Sequence, residues 1–342
     1  MVGAETPIHT SQRLLQQRVW ELVSRSPLHS LWNLQGTSLR VIADHTWKSL
    51  LSDNLFGRAA ELGFYFLFAL FPTLFSASSI LGLAAHSAAH IYDKLLHYLS
   101  IVIPTAAMGT VLNTYNETAA AATSGKVTFG LIAAIWSASV GISAIQDTLN
   151  TVYKIRESRS FFKARICAIA LTIVLTILVS LILTSLLGAD FFAALAHRRL
   201  SHPVLAALAA AVVRLAGWSF ATALLVLSFA VIYYWAPDVK TRRWHWLTPG
   251  GAVGIATWLL ASFTLRIYLH FYNNYSLTYG SLGAVIILLT WFYISGLALL
   301  LGAELNSEIE AAAAKNHLLQ SLEEGSCEPP ATPFPVEDRA SS

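Results

Sequence analysis

Charged residues are scarce in this 342-residue chain. They make up 12% of it, whereas hydrophobic residues make up 55% and the mean hydropathy is +0.57. This composition is not that of a soluble domain and is typical of an integral membrane protein. Cysteine is scarce too: Cys167 lies in an apolar run and Cys327 in a polar tail, so neither a disulfide framework nor a cysteine metal site is expected. The first 50 residues contain no apolar stretch of the kind that a cleaved signal peptide requires.

Features of the common enzyme classes are also missing. The sequence has no Walker motif, so we do not expect ATP hydrolysis by this chain. It lacks a compact set of metal-binding carboxylates and a basic face for RNA, which argues against a nuclease. We therefore predict a protein that is not an enzyme, carries no cofactor and binds no nucleic acid.

Six uncharged apolar stretches are long enough to cross a bilayer, since about 20 helical residues span a hydrocarbon core of about 30 Å. The first contains Pro72, which predicts a kink because its ring removes the hydrogen bond to the carbonyl of Phe68. The sequence therefore predicts an all-α, polytopic membrane protein. Its six predicted transmembrane helices lie at about 62–84, 127–146, 166–187, 215–235, 248–268 and 282–303.

The positions of Lys and Arg predict the orientation, because loops rich in these residues stay in the cytoplasm. Most of the 22 fall before the first span, between the second and third, between the fourth and fifth, or after the sixth. Both termini should then be cytoplasmic. The chain divides into a cytoplasmic N-terminal segment, 1–57, a membrane domain, 58–310, and a tail, 311–342, whose acidic and Pro-rich composition predicts disorder.

Two stretches outside the spans have the periodicity of amphipathic helices that lie in the membrane interface. Residues 37–55 combine an apolar face with Arg40, Trp47 and Lys48, which suit an anionic inner leaflet. A second such helix is predicted between the first two spans.

Histidines recur along one face of that second helix. They stand with a carboxylate at His86, His90, Asp93 and His97. This pattern fits either the polar face of an interfacial helix or a metal site such as one for Zn²⁺.

Two arginines are predicted at the same outer depth, one at the start of the fourth span and one near the end of the fifth. Tyrosines and asparagines follow the second arginine. One interpretation is an aromatic belt with a snorkelling arginine. The other is a site for an anionic headgroup or substrate. Its candidate residues are Arg214, Arg266, Tyr272, Asn273 and Tyr279.

Polar residues also collect at the predicted inner ends of the spans. Arg58 stands three residues before Glu61, a spacing that permits pairing on one helix face. These residues could form a cytoplasmic gate or serve as ordinary interfacial anchors. The candidate gate or structural residues are Arg58, Pro72, Asp147, Asn150 and Glu304.

Small residues at four-residue spacing predict close helix contacts. Gly250 and Gly254 form one such pair, and Ser137 and Gly141 form another. In spans so rich in Ala and Gly they indicate a packed bundle, not a specific dimer.

Residues 58–82, 135–165 and 233–305 resemble the YihY/virulence factor BrkB family of bacterial inner-membrane proteins, and the likeness covers about 38–310. Four motifs carry it in order: a proline after an aromatic run, LN-x-x-Y after the second span, YG in the outer hairpin and GAEL at the end of the last span. The family-pattern positions are Pro72, Asn150, Tyr153, Tyr279, Gly280, Gly302 and Glu304.

The resemblance implies a six-helix bundle in the bacterial inner membrane but no settled activity. Members were long labelled ribonuclease BN, a label regarded as mistaken. One expected function is transport of a lipid or another amphiphilic or anionic envelope molecule. The alternative is a non-transporting scaffold for cell-envelope assembly. Expected partners are membrane lipids, envelope-assembly proteins and further copies of the chain. The absence of charge from the middle of every span argues against a strongly proton-coupled pump.

Overall fold

The computed structural model describes Val19 and residues 38–83, 124–200, 202–239, 244, 246–271 and 281–323. Over these ranges the chain forms long α-helices and no β-strand, which confirms the predicted all-α class. The helices are α1 (Leu39–Ser52), α2 (Leu55–Leu83), α3 (Ser124–Val152), α4 (Phe161–Arg199), α5 (Pro203–Trp235), α6 (Pro249–Phe271) and α7 (Ser281–Glu323).

Five helices, α3 to α7, are long and apolar enough to cross a membrane. They contain the predicted second to sixth spans, so the chain is a polytopic membrane protein. Residues 62–83 of the predicted first span fall in α2, a helix of 29 residues that continues through Pro72. The shorter α1 matches the amphipathic helix predicted at 37–55.

Residues 311–323 differ from the prediction of a disordered tail, because they continue α7. Four consecutive alanines begin this stretch, and Ala has the highest helix propensity. Extending an existing helix also avoids the unfavourable nucleation step.

Helices α2 to α7 pack as three antiparallel pairs, α2 with α3, α4 with α5, and α6 with α7. Contacts of α2 with α7 and of α3 with α4 join the pairs into an incomplete ring, while α1 crosses α7. Much smaller contacts link α5 to α6. Leucines fill the core, among them Leu62, Leu149, Leu171 and Leu300.

Glycines set the closest helix contacts. A Cβ atom on Gly250 of α6 would lie 1.9 Å from the carbonyl oxygen of Gly302 on α7, and one on Gly254 would lie 3.1 Å from that of Ala298. The backbones therefore touch at this crossing, which confirms the predicted packing role of the Gly250 and Gly254 pair. In the other predicted pair, Ser137 is buried and Gly141 faces Phe66 of α2.

Candidate functional site

One end of the bundle, here called the polar end, gathers most of the described charged groups. It contains the end of α3, the start of α4, the end of α5, the start of α6 and α7 from Gly302 onward. Asn150 lies at its centre and is 4% exposed. Its Nδ2 donates to Glu157 Oε2 at 2.7 Å, and its Oδ1 accepts from the backbone N–H of Asp238 at 2.8 Å. One amide thus joins α3, the α3–α4 connection and the segment after α5.

Arg159 pairs with the carboxylates of this network. Its Nε and Nη2 donate to the two oxygens of Glu157 at 2.6 and 2.7 Å, and Nη2 also reaches the carbonyl of Ala236 at 3.1 Å. The hydrogen bonds from Arg159 lower the pKa of Glu157, and the same pairing raises the pKa of Arg159. Asp238 Oδ2 accepts from both the N–H and the hydroxyl of Ser158, at 2.7 and 2.5 Å. These contacts hold the α3–α4 connection beneath α5.

Two connections at the polar end each contain one residue with left-handed backbone, and these connections face each other. Asn54 between α1 and α2 has φ 53°, and Lys154 after α3 has φ 55°. An asparagine tolerates this conformation and often ends helices in it. The Lys154 ammonium forms an ion pair with Asp53, so the two turns are joined by charge.

The polar end also contains the N-terminus of α6, which is capped by side chains. Asn306 of α7 accepts from the N–H of Gly250 at 2.9 Å and donates to Thr248 Oγ1 at 3.0 Å. The same Thr248 hydroxyl accepts from the N–H of Gly251 at 2.9 Å. Thr248 therefore caps α6, and Asn306 satisfies a second N–H that the helix start leaves open.

Glu304 is fully buried next to this cap, and neither carboxyl oxygen has a hydrogen-bond partner among the described residues. The charges that act on it are those of Asp53, Lys154 and Glu308. The hydroxyl of Ser49 lies near but donates to Glu308 Oε1 at 2.6 Å.

Glu308 instead fixes α1 to α7. Its Oε1 accepts from the Ser49 hydroxyl, and its Oε2 lies 3.6 Å from His45 Nδ1. Ile42 packs against Ile309 beside these polar contacts. Glu308 is not among the residues predicted from the sequence, although its four-residue spacing from Glu304 places both carboxyls on one face of α7.

The predicted gate residues are therefore divided. Asn150 and Glu304 are each buried at the polar end, where Asp147 is exposed. Arg58 is half-buried, and within the described ranges no ion pair joins it to Glu61 or Asp147, although its charge acts on Asp147. Pro72 lies on α2 about 21 Å from Arg58, far from the network.

At the opposite end, Arg214 of α5 lies 3.4 Å from Asp190 of α4, and their side chains are 55% and 32% exposed. Asp190 is not among the residues predicted from the sequence, even though it is the single acidic residue of α4. Arg266 of α6 is exposed near the same end. The other candidate substrate residues, Tyr272, Asn273 and Tyr279, lie outside the described residues, as do His86, His90, Asp93 and His97.

A seam separates α5 from α6 between the two ends. Near the polar end Gly254 contacts Phe229 and Tyr233 of α5. From this contact, Arg266 lies about 18 Å along α6 and Arg214 about 22 Å along α5. Over this distance most residues of both helices are half-buried or exposed. The described parts of α5 and α6 thus make little contact with each other, and each helix carries an arginine towards the end opposite the polar end.

Residues 46–323 match the family described as Virulence factor BrkB. The chain belongs to this family. A ribonuclease-like protein of Bacillus subtilis strain 168, YfkH, is 34% identical over 258 residues, which cover 73% of this chain and 88% of YfkH. The UPF0761 membrane protein Smlt0865 of Stenotrophomonas maltophilia is 27% identical over 277 residues. XOO3417, a UPF0761 membrane protein of Xanthomonas oryzae, is 29% identical over 268 residues.

The aligned parts of these two UPF0761 proteins cover 78% of this BrkB-family chain and 60% of each relative. This chain therefore spans less than two thirds of their length. The match confirms the family predicted from the sequence motifs. No solved structure matches the chain.

Proposed function

We propose that this BrkB-family protein moves a lipid or another amphiphilic, anionic envelope molecule in the bacterial inner membrane, without catalysing a reaction. The proposal rests on the small contact between α5 and α6 and on Arg214 and Arg266, which these two helices carry near the same end. Both termini are placed in the cytoplasm in this proposal, because the Lys- and Arg-rich connections lie at the polar end.

The seam combines the two properties that an amphiphile requires. Its borders expose apolar side chains to which acyl chains can pack, including Leu215 and Trp218 on α5 and Leu260 and Phe263 on α6. The arginines supply positive charge at one end, where a phosphate or carboxylate headgroup would lie. Asp190 neutralises part of the charge of Arg214, so an anionic headgroup must compete with it.

The polar end supports a hinge-like opening of this seam. The backbone contact of Gly250 with Gly302 and the cap by Asn306 hold α6 on α7 there. Since α5 and α6 make few contacts with each other, separation of the two helices would break few contacts. We propose that the seam admits a lipid from the side by such a movement.

The test is a translocation assay with the full-length protein in liposomes that contain a fluorescent anionic phospholipid. We expect faster movement than in protein-free liposomes, and a loss of that movement in the Arg214→Gln, Arg266→Gln double variant. The matched control is Arg198→Gln, Arg199→Gln, which removes two charges from the end of α4 and should keep the wild-type rate. Asp190→Asn should strengthen binding of the anionic lipid because Arg214 loses its competitor.

Equal rates in wild-type and protein-free liposomes, with folded protein present, would contradict transport. One observation then favours a scaffold for envelope assembly. The 39 and 33 residues of α4 and α5 correspond to about 58 and 50 Å of helix, more than a hydrocarbon core of about 30 Å requires. Their far ends expose Phe191, Leu208 and Val212, which could contact an assembly protein.

A further inference from the structure

A second arginine site lies in the groove between α3 and α4, away from the seam. The Arg165 guanidinium is centred 4.3 Å from the ring of Trp136. Its Nη1 donates to Ser143 Oγ and its Nη2 to the carbonyl of Trp136, each at 3.3 Å. All of these partners belong to α3, so the side chain of Arg165 crosses from one helix to the other.

The direction of this side chain is unusual for an arginine near a helix end. The uncharged part of α3 ends at Gln146. The two residues that Arg165 contacts, Ser143 and Trp136, lie about 5 and 15 Å from Gln146 towards the middle of α3. Arginines near the end of a span ordinarily extend towards water. Arg165 instead extends alongside the apolar part of α3, where an ionised group is expensive unless it has a partner.

The protein supplies this cation with no counter-charge in the described ranges. No carboxylate described by the structure lies within ion-pair distance of Arg165, whereas Arg159, six residues earlier, is paired with Glu157. A guanidinium carries five N–H donors, and the contacts to Ser143 and Trp136 use two of them. The site therefore has both net positive charge and donors to spare.

The walls of the groove are apolar and face outward. Phe129, Ile132 and Trp136 lie along one face of α3 and are 72%, 64% and 59% exposed. On α4, Phe162 and Ile166 flank Arg165 and are 76% and 66% exposed. Such walls suit hydrocarbon chains, not a soluble anion.

We propose that the α3–α4 groove binds a phospholipid of the leaflet at the polar end, with its phosphate on Arg165 and its acyl chains along these walls. The planar guanidinium fork matches the oxygens of a phosphate. The bound phosphate supplies the missing counter-charge. This inference does not depend on transport. The groove lies on the side of α4 opposite to the side that contacts α5, and it would hold a lipid equally well in a scaffold.

The first experiment is native mass spectrometry of the full-length protein with added phosphatidylglycerol, using Arg165→Gln and the charge-matched control Lys163→Gln, whose side chain is exposed. We expect Arg165→Gln to weaken retention of the lipid by about tenfold or more, as for loss of a charged hydrogen-bonding partner. Lys163→Gln should retain it as the wild type does. Equal retention by both variants would show that Arg165 only links α3 to α4 and would overturn the proposal.

A second measurement keeps the test valid if Arg165→Gln does not fold. The wild-type protein is labelled with a photoreactive phospholipid, and the labelled residues are mapped. The proposal expects labels concentrated on 129–136 and 162–166, reduced by excess phosphatidylglycerol but not by diacylglycerol or inorganic phosphate. Competition by inorganic phosphate would identify a free-anion site and overturn the lipid assignment, as would labels spread evenly over all lipid-facing helices.

Discussion

Replacing Gly250 with alanine tests the closest helix crossing in the protein. The added Cβ would lie 1.9 Å from Gly302 O and 2.6 Å from Asn306 Oδ1, whereas ordinary contact begins at 3.4 Å. The obstacle at Gly302 is backbone, so α6 must move by about 1.5 Å relative to α7. That movement also breaks the bond from the Gly250 N–H to Asn306.

The expected loss of stability follows from these two effects. Overpacking costs about 1–3 kcal/mol, and an unsatisfied buried N–H costs about 1–3 kcal/mol. Alanine returns about 1 kcal/mol through its better helix propensity. We therefore expect Gly250→Ala to destabilise the protein by about 3 kcal/mol.

Two other glycines provide graded controls. At Gly254 the nearest atoms to an added Cβ are Ala298 O and Tyr233 Oη, both at 3.1 Å, so a small adjustment suffices. Nothing lies within 4 Å of a Cβ on Gly188. In one detergent, the midpoint temperature of thermal unfolding should be lowest for Gly250→Ala and slightly below wild type for Gly254→Ala. For Gly188→Ala it should equal or exceed that of wild type. A Gly250→Ala protein as stable as Gly188→Ala would refute the crossing geometry.

The remaining predictions concern the polar end and use the same unfolding assay unless stated. The pKa of Glu157 is lowered from 4.5, so its pairing with Arg159 stabilises the fold above pH 4.5 and is lost as pH falls through the folded-state pKa. Wild type should therefore lose more stability below pH 4.5 than Glu157→Gln, and parallel curves would contradict this. Asn150→Asp removes the donor to Glu157 and adds a like charge, and should destabilise the protein by about 1–3 kcal/mol at neutral pH. A variant as stable as wild type would contradict the role of Asn150 in joining α3 to the α3–α4 connection. Glu304→Gln should be as stable as wild type, because neither carboxyl oxygen of Glu304 has a hydrogen-bond partner among the described residues. A marked loss of stability would reveal a partner of this carboxyl group. Ser49→Ala should cost about 1 kcal/mol and speed hydrogen exchange in 39–52, and unchanged exchange would show that the other contacts of α1, among them those of Ile42 and His45, suffice to hold it.

Local properties explain what could be predicted. A span is defined by consecutive apolar residues, so the positions of α3 to α7 followed from the sequence. The cap of α6 was predictable for the same reason, since Thr248 and Pro249 are adjacent and act on the helix that they begin. The four-residue spacing of Gly250 and Gly254 indicated a contact face but not the helix that covers it.

Properties that depend on partners distant in the sequence could not be predicted. Asp190 and Arg214 are brought together by the antiparallel packing of α4 on α5, and Ser49 meets Glu308 only because α1 crosses α7. The inward direction of Arg165 depends on Ser143 and Trp136 of another helix. The proposed site at Arg214 and Arg266 likewise depends on how α5 and α6 lie relative to each other.

The sequence by itself determined that the chain is an all-α membrane protein of this family, because apolar length, helix caps and family motifs are written along the chain. Only the tertiary structure decided which charges are paired, which glycines touch backbone and where the ring of helices is loosely closed. Those features depend on distances between helices, and such distances are fixed by packing in three dimensions and not by spacing along one helix.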